Sequence, residues 1–270
     1  MDTEIAIRDF LISRRTQLRP EDLGLPRQGM RRVRGLRREE VAALANVSVD
    51  QYIRLERGQA SRVSDAVVDA VAHALRLTPG ECRYLRSLAR PAVASAEAGA
   101  GRPVRESVQR FLDSMCDTPA YLVGRGGAIL AWNRMAVLVF VDFARVPTAR
   151  RTVGRLVFTD PRARLLYVDW EVKAREAVAY LRTESGKRPH DAALSRQIEE
   201  LAEASADFRR LWAAQLVLDH THDITHLNRP PVGTLDLTWE AFQPKGDPDE
   251  LVIVYTAANA RTAAALGRLT

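Results

Sequence analysis

The stretch LRREEVAALANVSVDQYIRLERG, residues 36–58, decides the fold of the first third of the chain. Its apolar residues do not follow one continuous helical stripe. Val41 and Leu44 share one face of a short predicted helix, whereas Tyr52 and Leu55 share one face of a second helix. The pattern therefore predicts two helices with a break between them.

The break lies at Asn46–Ser48. Asparagine tolerates the left-handed backbone conformation that a tight turn between helices requires. Ser48, with Gln51 three residues later, forms a capping-box pattern, which predicts that the second helix begins there. Ala42 is small enough to let the two helices approach closely. The segment is therefore predicted to be a helix-turn-helix.

The flanking sequence predicts three more helices. Residues 5–17 mix apolar and charged residues as an amphipathic helix does. Ser64 caps a valine-rich helix, and Thr78 opens a capping box, with proline in the first turn, for a helix that ends near Arg90. We therefore expect an all-α, five-helix domain over residues 1–90.

The positive charge of the chain is concentrated in this domain. Of a formal net charge of +6, residues 1–90 hold 17 Arg against 12 Asp and Glu, and residues 91–270 hold 23 Arg and Lys against 22 acidic residues. Residues 27–38 contain six arginines and no acid. Guanidinium groups pair with phosphates. Taken alone, the cluster fits a nucleic-acid partner and a solvated basic loop about equally well.

The composition fits a folded protein of two domains. Hydrophobic residues make up 46% of the 270 residues and charged residues 27%, unlike a disordered chain. The longest apolar run, Met135–Val141, is too short to cross a bilayer, and the N-terminus has no secretory signal. Cys82 and Cys116 form no CxxC motif, so neither a disulfide framework nor a zinc finger is expected. We expect a cytoplasmic protein with no membrane partner and no cofactor.

The helix-turn-helix resembles that of the XRE family, the Cro and phage-repressor type. Asn46 is a departure, since family members usually carry glycine there. The resemblance implies a repressor-like domain in which the helix beginning at Val49 enters the major groove of double-stranded DNA. The candidate DNA-binding residues are Arg31, Arg32, Arg34, Arg37, Arg38, Ser48, Val49, Asp50, Ile53, Arg54 and Arg57, with Arg37 and Arg38 better placed for phosphates than for bases.

The outward residues of the second helix have the chemistry for reading bases. Arg54 can pair bidentately with guanine, Val49 and Ile53 can contact a thymine methyl, and Asp50 can accept from cytosine. In the alternative interpretation, the arginines of this face only pair with Asp50 or Glu56 on a solvated helix. The two isolated apolar side chains beside Arg54 favour DNA contact.

After an Ala, Gly and Pro-rich linker at residues 91–103, the pattern changes to mixed helix and strand over 104–270. Strand-like runs at 121–123 and 128–132 flank Gly124–Gly127, where a phosphate-loop fingerprint is incomplete and a hairpin turn is the better interpretation. Helices are predicted at 107–115, from Thr159, from Asp169 to Gly186, at 191–204 and at 206–217, and further strands at 234–242 and 251–255. This order predicts an α+β domain with helices on one face of a sheet.

The segments TPAYLVGRGGAILAWN, LVFTDPRARLLYVDWE and GDPDELVIVYTA resemble the MmyB-like ligand-binding domain. The resemblance implies a PAS-like fold whose pocket accepts an apolar small molecule, with fatty acids as the expected class. Any single aromatic residue is as well explained by an ordinary core. The candidate lining residues are Tyr121, Trp132, Phe140, Phe158, Trp170, Trp212, Trp239 and Phe242.

Two polar features could hold a head group or a metal. Arg175 and Arg182 share a helix face, although the spacing slightly favours a surface pair of Arg175 with Glu171 as the alternative interpretation. Thr225 and His226 stand where the family usually has basic residues, which weakens any prediction of the head group. A metal site of His220, His222 and His226 is the alternative, but the chain has no HExxH motif.

The sequence thus predicts a DNA-binding transcriptional regulator and no enzyme, since no catalytic signature is present. A homodimer on an inverted-repeat operator is expected, because two-fold sites are met by two-fold proteins. Two alternatives stay open: a regulator controlled by a protein partner, as an antitoxin is, and a metal-dependent enzyme fused to a DNA-binding module.

Overall fold

The computed structural model describes residues 2–24, 35–91, 103–217 and 224–269. The chain forms two compact units. The first comprises Met1–Ala94, Arg182–Ser195 and Trp212–Asp219, and the second Ser95–Leu181, Arg196–Leu211 and His220–Thr270. A helical N-terminal region followed by an α+β region confirms the predicted fold class.

Five helices form the N-terminal part of the first unit, as predicted. They are α1 (Thr3–Gln17), α2 (Arg38–Leu44), α3 (Val49–Glu56), α4 (Asp65–Ala74) and α5 (Pro79–Ala89). Short 3-10 turns stand at Pro20–Leu23 and Ala60–Arg62. The core contains Phe10, Val41, Tyr52, Leu55 and Leu85, each fully buried.

The turn between α2 and α3 has the left-handed residue and the capping box that the sequence predicts. Asn46 has a φ of 51°, the left-handed conformation expected there. The hydroxyl of Ser48 accepts from the Gln51 amide at 3.2 Å, and the Ser48 amide donates to the Gln51 side chain at 2.9 Å. Ala42 is 1% exposed, so a larger side chain would separate the helices. Helix-turn-helix geometry therefore follows from local chemistry.

The first unit extends beyond the predicted boundary at residue 90 because two later segments pack within it. The Arg182 guanidinium lies over the Trp212 ring at 4.1 Å and donates to the Gln215 side chain at 2.6 Å. Gly186 has no side chain where a Cβ would stand 2.6 Å from a ring carbon of Tyr84. Sequence patterns at 182–219 give no sign of these partners.

The second unit is built on one antiparallel sheet with the strand order β2-β1-β5-β4-β3. Its strands are β1 (Ala120–Val123), β2 (Ile129–Trp132), β3 (Ile224–Arg229), β4 (Gly233–Phe242) and β5 (Leu251–Ala257). The hairpin between β1 and β2 turns at Arg125–Gly127, as predicted. One sheet face carries Tyr121, Leu237 and Tyr255 into the larger core, and the other carries Leu122 and Val252 into a smaller one.

In the part of the chain that the structure describes, eight helices follow the first five. They are α6 (Glu106–Ser114), α7 (Arg134–Val139), α8 (Val153–Thr159), α9 (Arg162–Leu166), α10 (Trp170–Lys187), α11 (Ala192–Ala204), α12 (Ala206–Ala213) and α13 (Ala260–Gly267). The sequence analysis did not predict α7, α8, α13 or β3, and it ended α12 four residues too late. These elements are short, and their formation depends on the sheet against which they pack.

Candidate nucleic-acid interface and ligand cavity

Helix α3 turns one face inward and one outward, as predicted. Tyr52 and Leu55 are fully buried, which fixes the rotation of the helix about its axis. Val49 is 37% exposed, and Asp50 and Arg54 are exposed beside it. The outward face therefore presents an apolar contact, an acceptor and a guanidinium at the first two turns, where a recognition helix meets bases.

The arginines of this face are not engaged by acidic neighbours. Within the described residues, neither Arg54 nor Arg57 forms an ion pair or a side-chain hydrogen bond with Asp50 or Glu56. Glu56 is turned into the core, where it is 1% exposed. The described residues therefore do not contain the pairs of Arg54 and Arg57 on which the alternative interpretation depends.

Glu56 is the centre of a buried polar network. Its carboxylate accepts from Arg15 at 2.9 Å, from Tyr52 at 2.8 Å and from Arg38 at 2.6 Å. Burial alone would raise the pKa of Glu56, but these hydrogen bonds and the Arg15 charge lower it below its ordinary value. The carboxylate is thus held ionised, and it fixes α3 to α1 and α2.

Arg37 and Arg38, predicted to contact phosphates, open helix α2. The Arg37 amide donates to the Glu40 side chain at 2.7 Å, which caps the helix. Arg38 has 46% of its side chain exposed although it pairs with Glu56, so it combines a structural contact with surface access. Arg31, Arg32 and Arg34 lie outside the described residues.

The turn after α3 was missed by the sequence analysis. Ser61 and Arg62 are exposed in the 3-10 turn that follows α3. The Gln59 amide donates to the Arg54 carbonyl at 2.9 Å, which joins the turn to that helix. Arg90 holds the turn from α5, donating to the carbonyls of residues 60 and 63 at 3.0 and 2.7 Å. The signal that could have predicted this feature was the arginine in the short Ala-Ser-Arg segment at residues 60–62.

The second unit contains a cavity of about 530 Å³ between the sheet and α8 and α9. Its volume lies within the range usual for small-molecule sites. Leu165, 74% exposed, stands where the cavity meets solvent. The wall is formed by Tyr121, Ile129, Phe140, Val141, Asp142, Phe143, Val153, Leu156, Val157, Asp160, Arg162, Ala163, Leu165, Leu166, Tyr167, Asn228, Arg229 and Pro230.

Of the aromatic residues expected in the wall, Tyr121 and Phe140 line the cavity. Trp132 packs on Phe143, a wall residue, with ring centroids 5.4 Å apart, and Arg151 lies over its indole. Trp239 lies on β4 opposite Tyr255. Neither tryptophan reaches the wall itself.

The other expected aromatic residues belong elsewhere. Phe158 and Trp170 pack edge to face, and the Trp170 indole donates to the Val157 carbonyl at 3.0 Å. Trp212 lies in the first unit beneath Arg182, and Phe242 is 52% exposed at the end of β4. Aromatic character alone could not separate wall from core or from surface.

The two arginines expected to hold a head group are also placed away from the cavity. Arg175 is half exposed and lies 3.5 Å from Glu171, the surface pair that was the alternative interpretation. Arg182 is 1% exposed within the first unit. The two arginines lie seven residues apart on α10 and share a helical face, but Arg175 is exposed on that face whereas Arg182 is buried.

The polar residues that do line the cavity were missed. Arg162 is neutralised by a bidentate contact to Asp160, with a closest approach of 2.6 Å. Arg229 donates its Nε to the Leu138 carbonyl at 2.6 Å, and no acidic partner for it occurs among the described residues. Of the two arginines in the wall, Arg229 is therefore the one whose positive charge is not balanced by an acidic partner in the described part of the chain. The family usually has basic residues at positions 225 and 226, so the arginine shortly after them was the signal that could have identified Arg229.

His226 engages an acidic residue. Its Nδ1 lies 2.8 Å from an oxygen of Asp236. Hydrogen bonds from His226, Asn259 and Arg261 lower the pKa of Asp236 to about 2. His220 and His222 lie outside the described residues, and the described ones contain no cluster of three or more metal-ligating side chains. None of the helices in the described ranges is long and apolar enough to span a membrane.

Comparisons with known proteins identify a family model for each of the two regions that contain these candidate sites. No curated protein matches the chain. A model of a helix-turn-helix domain matches residues 28–85, which contain α2 to α4. A model described as the MmyB-like transcription regulator ligand binding domain matches residues 104–269, more than half of the chain and the whole of the cavity wall. The chain therefore belongs to the MmyB-like transcription regulators, with a helix-turn-helix for binding DNA.

Proposed function

We infer that the protein is an XRE-type, homodimeric transcription factor of the cytoplasm whose affinity for DNA is set by an apolar small molecule. The single observation that carries this proposal is the 530 Å³ cavity in a domain joined to a helix-turn-helix. An antiparallel five-stranded sheet with helices over the cavity face supports a PAS-like fold for this domain. No catalytic step is part of the proposal.

On the DNA side, α3 lies in the major groove. Ser48, Val49, Asp50, Ile53, Arg54 and Arg57 are its base-facing residues. The exposure of Val49 and the lack of an acidic partner for Arg54 within the described residues support this role. Arg37 and Arg38 bind phosphates, together with the arginines at 31, 32 and 34. One recognition helix covers a half-site, so two copies of the chain bind an inverted repeat.

On the ligand side, most of the wall residues are apolar, so the cavity fits a fatty-acid-like molecule. Phe140, Phe143 and Leu156 surround the hydrocarbon. Arg229 receives the carboxylate, because its guanidinium has no acidic partner in the described part of the chain. The amide of Asn228 is a second donor beside it. A cavity of this kind favours a small molecule over the protein partner of an antitoxin.

The ligand proposal is tested by native mass spectrometry of the purified full-length protein. A co-purifying acid of several hundred daltons is expected, and Ala163→Phe should remove it, because Ala163 is 6% exposed in the cavity wall. Val168→Phe is the matched control, since Val168 is 56% exposed and outside the wall. A protein that carries no small molecule, and binds none from a lipid extract, would contradict the proposal.

The DNA proposal is tested on an operator selected from random duplexes. Arg54→Ala should cost about 1–3 kcal/mol on the operator and relax the preference at one base pair. Arg37→Ala should weaken binding to all sequences and flatten its dependence on salt. Ligand binding should change operator affinity about 5- to 150-fold. Equal losses on operator and random DNA for Arg54→Ala would show that Arg54 does not read a base.

A further inference from the structure

Tyr121 and Tyr255 place two phenol groups side by side on the cavity face of the sheet. Tyr121 stands opposite Ile253 of β5, so Tyr255 is the next residue of that strand on the same face. Their hydroxyl oxygens are 2.9 Å apart, and the residues are 5% and 1% exposed. Tyr121 is the one that lines the cavity.

Within the described residues, this pair leaves one of its two hydroxyl hydrogens without an acceptor. Each hydroxyl carries one hydrogen, and the bond between the two oxygens uses one of them. Within the described ranges, neither oxygen has a further hydrogen-bond partner. A buried donor that lacks an acceptor is unfavourable. The second hydrogen therefore needs an acceptor that the described part of the chain does not supply.

Trp239 adds another donor to the same sheet face. It stands opposite Tyr255 in the pairing of β4 with β5. Its indole Nε1 is buried and has no hydrogen-bond partner among the described residues. This part of the sheet face thus holds two buried donors for which the described residues place no acceptor within reach. Since Trp239 does not line the cavity, Tyr121 is the donor that a ligand in the cavity can reach, and it favours a ligand that brings an oxygen acceptor.

The nearby charge of Lys173 is already neutralised. Its Nζ lies 2.9 Å from the Glu176 carboxylate, with 10% and 16% of the two side chains exposed. Burial alone would lower the pKa of Lys173, but the Glu176 charge raises it above its ordinary value, so the ammonium stays charged and paired. This ion pair leaves no net charge to attract an anion. The expected acceptor is therefore a neutral oxygen.

We propose that the Tyr121 hydroxyl donates a hydrogen bond to a carbonyl or hydroxyl oxygen on the chain of the ligand, so that the cavity selects oxygenated acyl chains. This inference rests on the proposed function, because it requires an apolar ligand in the cavity. Arg229 and Tyr121 then recognise two separate polar groups of one molecule, the acid and the chain oxygen. The cavity would discriminate by chemistry as well as by length.

The test measures dissociation constants of the full-length protein by calorimetry for decanoic acid and for 4-, 6-, 8- and 9-oxodecanoic acids. At least one oxo acid should bind about tenfold more tightly than decanoic acid, since a hydrogen bond to an otherwise unmatched buried donor is gained. Tyr121→Phe should reduce this preference to less than twofold while leaving the affinity for decanoic acid within about twofold.

Two further variants are controls that should keep the preference for the oxo acid. Tyr255→Phe should retain the preference, because it frees the Tyr121 hydroxyl for the ligand alone. Tyr180→Phe removes a hydroxyl that donates to the Gly124 carbonyl at 3.3 Å and lies outside the wall, so it should also retain the preference. Binding of decanoic acid without preference for any oxo acid overturns this inference alone. Failure of the wild-type protein to bind any of the five acids overturns the proposed function and this inference together.

Discussion

Arg38 and Glu56 form an ion pair in which Nε lies 2.6 Å from a carboxylate oxygen that is almost wholly buried. Since Glu56 keeps its contacts to Arg15 and Tyr52 when Arg38 is removed, Arg38→Ala should lower the free energy of unfolding by about 1–2 kcal/mol. Urea unfolding at pH 7 without DNA separates this loss from any phosphate contact. Arg8→Ala breaks a pair exposed on both sides and should change stability little. Similar losses for both variants would contradict a structural role for Arg38.

The same network predicts a pH dependence of stability. Because the pKa of Glu56 in the folded chain lies below its ordinary value of 4.5, its ionised form contributes stability above that value, which is lost as the pH falls through the folded pKa. Glu56→Gln should cost about 3 kcal/mol at pH 7 and progressively less as the pH falls below 4.5. Ile53→Ala changes no titrating group and should show a constant difference. Urea titrations across this range measure both, and a constant difference for Glu56→Gln would refute the expectation.

Gly58 ends the recognition helix in a conformation that only glycine fits. Its φ is +83°, and a Cβ there would stand 2.3 Å from the Cα of Glu4 in α1. Gly58→Ala should therefore destabilise the first unit by about 3 kcal/mol or more, through backbone strain and clash together. Gly24→Ala is the matched control, because Gly24 has a φ of +69° with nothing within 4 Å, and should cost about 1 kcal/mol. Equal losses in thermal unfolding would mean that α1 does not pack against this turn.

The helix-turn-helix could be predicted because its information is local. The left-handed Asn46 and the reciprocal bonds of Ser48 and Gln51 lie within six residues of one another. Inward Tyr52 and outward Arg54 then follow from the period of a helix. The network at Glu56 was not predictable, since Arg15 comes from a helix forty residues earlier.

The sequence could predict that a cavity exists, but it could not predict which residues line it. Tyr121 and Trp132 stand opposite each other in the β1–β2 hairpin, and the sequence pattern does not distinguish which of the two lines the cavity. Tyr121 reaches it because β5 and the 140–143 segment place Tyr255, Phe140 and Phe143 around its ring. Arg182 likewise shares a helix with Arg175 but ends against Trp212. Tyr121 and Tyr255 are 134 residues apart, and Arg182 and Trp212 are 30 apart, so helical or strand periodicity gives no signal for either pairing.

Arg90 provides the last prediction, since it connects the end of α5 to the turn that follows the recognition helix. Its guanidinium bridges the carbonyls of Ala60 and Val63, and it lies 2.9 Å from Asp65 at the start of α4. Arg90→Ala should speed amide hydrogen exchange at residues 59–63 and weaken binding to operator and random DNA alike by about 5- to 10-fold, because the turn loses two charge-assisted hydrogen bonds and α4 loses an ion pair. Arg90→Lys should restore little, since a single ammonium cannot span two carbonyls. Arg86→Ala, which removes an exposed pair with Asp69 from the same helix, should leave exchange and affinity unchanged. If Arg90→Ala speeds exchange without weakening DNA binding, the turn is held by Arg90 but takes no part in the interface.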